Sequence, residues 1–113
     1  DVDEILKQTD LPAVGLDDEG LFTYVNQAFE KSYGWDKEEL LGKSVTTIMP
    51  PNFRDAHHIG FSRFLTTEKA TIAGKPLPLA VLFKDGQVHD AEHFILADKK
   101  DGKWRFAATI SLR

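Results

Sequence analysis

The side chains best suited to chemistry in this chain are four histidines, and one of them stands in an unusual place. Residues 50–67 read PPNFRDAHHIGFSRFLTT. Phe53, His57, Gly60, Phe61 and Phe64 recur at the spacing of one helix face. An imidazole therefore interrupts an apolar, inward-facing stripe, with a glycine about one turn further on. A neutral imidazole there is an available metal ligand or a hydrogen-bonding partner for a bound molecule. The plain alternative is a histidine satisfied inside the core. His93 belongs to an extended run, 88–97, whose odd face is His89, Ala91, His93, Ile95 and Ala97. With Glu92 on the wet face, His93 reads either as turned inward or as a half-exposed strand histidine. His58 lies about 100° round the helix from His57 and reads as solvated or paired with Asp55 or Glu68. His89, at the start of its strand, reads as a surface residue. With no cysteine and no HExxH pattern, the four histidines make no recognisable zinc site.

Other chemistry is not encoded. Ser32, Ser44, Ser62 and Ser111 lack the GxSxG setting of an activated nucleophile, and no glycine-rich phosphate loop occurs. The carboxylate pairs Asp17-Asp18 and Glu38-Glu39 have turn and helix-start explanations. Arg54, Arg63 and Asp55 read first as ordinary surface charges. The expectation is a module without enzymatic activity.

A chain of 113 residues, 42% hydrophobic, is one domain able to build its own core. The absence of cysteine excludes a disulfide framework and suits a reducing, cytoplasmic compartment. No apolar run approaches a membrane span, so no membrane contact is expected. The net charge of −4, with scattered basic residues, argues against nucleic acid as the partner. The chain begins at Asp1 rather than Met, as expected of a segment of a longer protein.

The elements that must position the histidines follow from the pattern. Residues 1–10 form a lead-in helix that packs on the domain or on a partner copy, and 11–113 form a single domain. Runs 11–17 and 21–25 read as a hairpin about the turn 17–20. Asn26 caps a helix that Gly34 ends, and Asp36 caps another helical turn that Gly42 stops. Residues 43–49 fit one more turn. Pro50-Pro51 starts a helix running to about Thr66. Three strands follow at 77–83, 88–97 and 104–112, joined by turns at 84–87 and 98–103, each with Asp-Gly. Strands with helices segregated between them read as α+β, the helices crossing one face of the sheet. A concave sheet closed by a helix encloses a small pocket.

The same residues carry a resemblance. Asp17-Asp18-Glu19-Gly20 before a strand ending at Asn26, Ala28-Phe29, Tyr33-Gly34-Trp35, Glu38 to Gly42, Lys84-Asp85-Gly86 and Trp104-Arg105-Phe106 resemble, in this order, a PAS domain. The resemblance implies the PAS fold, a five-stranded antiparallel sheet in the order 2-1-5-4-3 with helices across one face. It also implies a sensory input domain of bacterial-type signalling, such as a two-component system. More narrowly, Pro50, Arg54, His57, Arg63, Thr66 and Thr67 are similar in spacing to the long helix of haem-binding PAS domains of oxygen-sensing histidine kinases. That resemblance makes His57 a candidate axial ligand of haem b and brings Arg63 near a propionate. It departs on the other side of the pocket. The family's distal arginine falls at Leu77, one apolar distal residue falls at His93, another stays apolar as Ile95, and a glycine becomes Ala108. His93 is thus a candidate distal residue.

The expected function is a sensor that binds a small ligand or cofactor, haem the leading candidate, between the 52–66 helix and the sheet. Its lining is expected to include Gly60, Phe61, Phe64, Ile72, Leu77, Leu79, Ile95, Phe106 and Ala108 beside the two histidines. The change would pass to an output domain, with a homodimer formed through the N-terminal helix or the outer sheet face. The alternative is a ligand-free dimerisation and interaction module, its pocket plugged by phenylalanine and leucine side chains.

Overall fold

Asp17 turns the chain between its first two strands. Its Oδ1 accepts hydrogen bonds from the backbone N–H groups of Glu19 (2.9 Å) and Leu21 (3.0 Å), so a single carboxylate organises the reversal. The computed structural model describes residues 2–54, 74 and 76–112. Within them, helix α1 (Val2–Lys7) precedes strands β1 (Ala13–Leu16) and β2 (Phe22–Val25). Helices α2 (Gln27–Tyr33) and α3 (Lys37–Leu40) follow, then a 3-10 turn (Val45–Ile48) and a helical turn over 51–54. Strands β3 (Pro76–Leu82), β4 (Val88–Lys100) and β5 (Lys103–Leu112) complete the chain. All pairings are antiparallel, and the sheet order is β2-β1-β5-β4-β3. This is the α+β architecture and strand order expected above.

The local signals act as their chemistry dictates. Gly34 ends α2 in the left-handed conformation (φ 82°) and its N–H bonds to Glu30 O. Asp36 and Glu39 form a capping box at α3. The first of the two late turns is a three-residue loop. Gly86 takes φ 92°, its N–H reaching Phe83 O at 3.0 Å, while Phe83 N–H bonds to Gln87 O.

Two expectations need correction. The last turn does not span 98–103. β4 continues to Lys100, and only Asp101 (φ 54°) and Gly102 (φ 79°) turn, both left-handed. Cross-strand pairs keep 98–100 extended: Arg105 forks onto Asp98 at 2.6 and 3.1 Å, and Lys99 Nζ stands 5.2 Å from the Trp104 ring. Phe53, assigned to the inward stripe, is instead 50% exposed. Arg54 takes the inward place, its Nε donating to the carbonyls of Thr46 (3.0 Å) and Met49 (3.2 Å).

The two faces of the sheet build separate cores. On the inner face Phe22, Phe29, Tyr33, Leu40, Val45 and Ile48 pack against Val14, Val81, Ala91 and Ile110. On the outer face α1 lays Val2 and Ile5 against Ala13 and Ala107, beside Phe94 and Leu96. The lead-in helix thus lies on its own domain, on the face opposite α2 and α3. Gly15 lets it approach: a Cβ there would stand 2.9 Å from Leu6 Cδ2. Arg105 ties the helix down through Asp3 (3.0 Å) while holding Asp98.

Candidate functional site

Strand alternation places the inward side chains of β3, β4 and β5 in rows. His93 stands between Leu77 on β3 and Ile110 on β5. One row along, Ile95 pairs with Ala108; on the other side, Ala91 pairs with Leu79. Phe106 lies opposite Ala97 and Leu16. Six of the residues expected to line a pocket (Leu77, Leu79, His93, Ile95, Phe106 and Ala108) therefore share one face. Leu79 is 41% exposed, so it sits at the rim. His57, Gly60, Phe61, Phe64, Ile72 and also His58 and Arg63 lie outside the described residues.

His93 is the polar group at the centre of these rows. It is 9% exposed, and its Nδ1 lies 3.0 Å from Ala91 O. A carbonyl only accepts, so Nδ1 carries the hydrogen and a neutral ring leaves the Nε2 lone pair available. Burial pushes its pKa below the ordinary histidine value, and the weaker opposing influence is the bond to Ala91. The neutral form therefore dominates at neutral pH. His89 contrasts with it: exposed, 3.0 Å from Gln87 Oε1, and edge-on to Phe83.

The strands of this sheet are held by residues whose partners are remote in sequence. The Tyr33 hydroxyl donates to Ile110 O at 2.6 Å, and Ile110 is the β5 partner of His93. Burial raises that phenol to about 12, so it stays protonated and donating. Trp35 Nε1 donates to Leu82 O at 3.0 Å, and Lys84 Nζ lies over the Trp35 ring while pairing with Glu39. The Tyr33-Gly34-Trp35 triplet was visible in the sequence, but not that it clamps two strands. Asn26 does more than cap α2. Its Oδ1 accepts from Phe29 N (2.9 Å) and Ala13 N (3.0 Å), and its Nδ2 donates to Leu11 O (2.8 Å).

Two clefts of about 390 Å³ each are bounded by described residues, and neither reaches His93. The first lies between Thr9 and the start of α2, by Tyr24 and Lys31. The second lies among Phe83, His89, Asp90 and Leu112. Among the described residues no group of three or more His, Cys, Asp or Glu side chains could hold a metal ion. None of their helices is long and apolar enough to cross a membrane.

Sheet order and the helices on the inner face define the class. The family model described as PAS fold matches residues 1–93, and the chain belongs to the PAS family of sensory and signalling domains. Isolated domains of this family are typically non-catalytic sensor modules. An uncharacterised protein of Azorhizobium caulinodans is 32% identical over 104 residues, covering 90% of this chain and 14% of that protein. The chain thus spans about one seventh of that relative's length. Among solved structures, the PAS domain of a Desulfitobacterium hafniense protein superposes with a TM-score of 0.76 at 22% identity, covering 97% of this chain and 99% of that one. A PAS domain from a two-component sensor histidine kinase gives a TM-score of 0.71 at 14% identity, covering 91% and 85%. Both likenesses concern the fold.

Proposed function

We propose that this PAS domain is an input module that binds a small ligand or cofactor against the inner face of β3, β4 and β5 and passes the change to an output domain. The observation that carries this reading is His93. A buried neutral ring set among Leu77, Ile95 and Ile110, with Nδ1 held by Ala91 O, presents a polar nitrogen on an otherwise apolar face, and a bound molecule would use it. Binding must favour one state of the domain over another to carry a signal. The Azorhizobium relative is far longer than this chain, which fits an input domain joined to others. Self-association through α1 or the outer face is part of the proposal.

Haem b is the first cofactor to test. One imidazole nitrogen set in an apolar face fits an axial donor. His57 and His93 are the residues that would hold the group, which when bound supplies an iron centre responsive to redox state or diatomic gas. With Leu77 at the arginine position, carbon monoxide or redox state suits the site better than oxygen. The experiment is purification with haem supplied, followed by absorption spectroscopy of wild type, His57→Ala and His93→Leu. A Soret band that shifts in the variants is expected. Absence of the band, or a band indifferent to both variants, rejects haem.

A further inference from the structure

The orientation of the His93 ring restricts what the site can recognise, and this restriction rests on the ligand-binding reading above. Nδ1 is committed to Ala91 O, a backbone acceptor on the same strand, so the second nitrogen, Nε2, offers a lone pair and no hydrogen. Among the described residues, the other inward positions around it hold only apolar side chains: Leu77 and Leu79 on β3, Ala91 and Ile95 on β4, Ala108 and Ile110 on β5. An anion set against this nitrogen would meet a lone pair. To donate to it, the ring would have to move its hydrogen from Nδ1 to Nε2, setting the Nδ1 lone pair 3.0 Å from the Ala91 carbonyl oxygen, or take up a second proton. Burial opposes the second course. The first gives up a buried hydrogen bond and sets two lone pairs against each other at that distance.

We infer that His93 selects ligands presenting a lone-pair acceptor to Nε2 – the hydrogen of an uncharged hydroxyl or N–H group, or the iron of haem – and rejects carboxylates and phosphates. The described surroundings fit an uncharged, largely apolar molecule with one hydrogen-bond donor.

The test uses three probes of similar size, phenol, toluene and benzoate, titrated into the full chain and followed by amide NMR and calorimetry, with haemin added in a parallel spectroscopic arm. Phenol should bind about tenfold or more tightly than toluene, the ratio set by one buried hydrogen bond. Benzoate should bind more weakly than either. The phenol–toluene difference should vanish in His93→Leu. Imidazole ¹⁵N shifts in the wild-type protein, which do not depend on a variant's folding, should report the Nδ1–H tautomer. Haemin binding with a His93-dependent spectrum would identify iron as the acceptor. Benzoate binding as well as phenol, equal binding of phenol and toluene, or an Nε2–H tautomer would overturn the selectivity while leaving a ligand-binding domain. Failure of all four additives to bind would overturn the ligand-binding reading and the inference with it.

Discussion

At the scale of single residues, His93 and Asn26 show two ways of burying a polar side chain. Asn26 is 6% exposed and bonds through both side-chain polar atoms to the backbone of Leu11, Ala13 and Phe29. Asn26→Ala removes the α2 cap and strands the Ala13 N–H and the Leu11 carbonyl. A loss of about 2–3 kcal/mol is expected, read from urea denaturation. His93 keeps one bond and a depressed pKa. In the unfolded chain a histidine protonates near its ordinary value, whereas the folded site resists the proton. Stability is therefore complete above about pH 6.5 and falls as pH drops through and below that value. Between pH 7.5 and 5 the melting temperature of wild type should fall more than that of His93→Leu; parallel curves would contradict the buried neutral ring. How much of this was legible in the sequence differs between the two. Strand alternation, with Glu92 on the opposite face, allowed an inward His93 but left a half-exposed one equally open. Nothing local could reveal its Ala91 bond, because ring rotation and tautomer depend on the surroundings. Asn26 was legible as a cap, since a cap needs only its own helix, but its hold on β1 depends on how the hairpin meets α2.

At the scale of elements, short helices and edge strands are settled by close contacts. Gly15 faces α1, and a Cβ would stand 2.9 Å from Leu6 Cδ2 and 3.3 Å from both Thr23 Oγ1 and Tyr24 Cβ. The end of Leu6 can swing aside for Gly15→Ala, at under about 1 kcal/mol, but Gly15→Val would push α1 off the sheet at about 1–3 kcal/mol. Hydrogen exchange should then rise in residues 2–7 while the amides of Tyr33 and Ile110 stay protected; uniform exchange would show that α1 does not dock there independently. β3 forms the opposite kind of boundary: among the described residues no strand pairs with its outer side, where Trp35 Nε1 takes the Leu82 carbonyl. Because Phe83 N–H bonds to Gln87 O, the odd residues of β3 face β4 and the even ones face outward. Pro76 and Pro78 are both even, so each removes an outward N–H that another strand would need. Pro78→Val should leave the monomer folded but cause concentration-dependent association, seen as rising mass in light scattering; an unchanged mass at high concentration would refute the blocking role. The strands themselves were legible because their alternation and Asp-Gly turns are local. The far end of β4 was not. Asp98-Lys99-Lys100 reads as turn by composition, and Trp104 and Arg105, five and seven residues beyond their partners Lys99 and Asp98, hold it extended.

At the scale of the whole molecule, the sheet carries two cores that do not share side chains. The inner one joins α2, α3 and the 3-10 turn to all the strands by way of residues such as Phe22, Val81 and Ile110; the outer one is α1 on Ala13, Ala107, Phe94 and Leu96. The sequence order of strands and helices was enough to imply the inner arrangement. It left open whether a six-residue helix would cover its own sheet or a neighbour's, since both choices bury the same Val2 and Ile5. The docked α1 has a consequence for association. The outer face of a folded copy is already occupied, so a second copy can use that face only by displacing or exchanging α1. Removing residues 1–9 should separate the two cores. The domain should remain folded, because Tyr33 still holds Ile110 and Asp98 still holds Arg105. It should lose about 2–4 kcal/mol from the burial of two aliphatic side chains and their supports. The uncovered apolar strip should also drive self-association, and Phe94→Glu or Leu96→Lys in the truncated chain should reverse it. Sedimentation equilibrium on the full chain, the truncated chain and the doubly altered chain reads all three. A truncated chain that stays monomeric with an unchanged melting temperature would show that the outer face is not an association surface and that α1 contributes nothing to the fold.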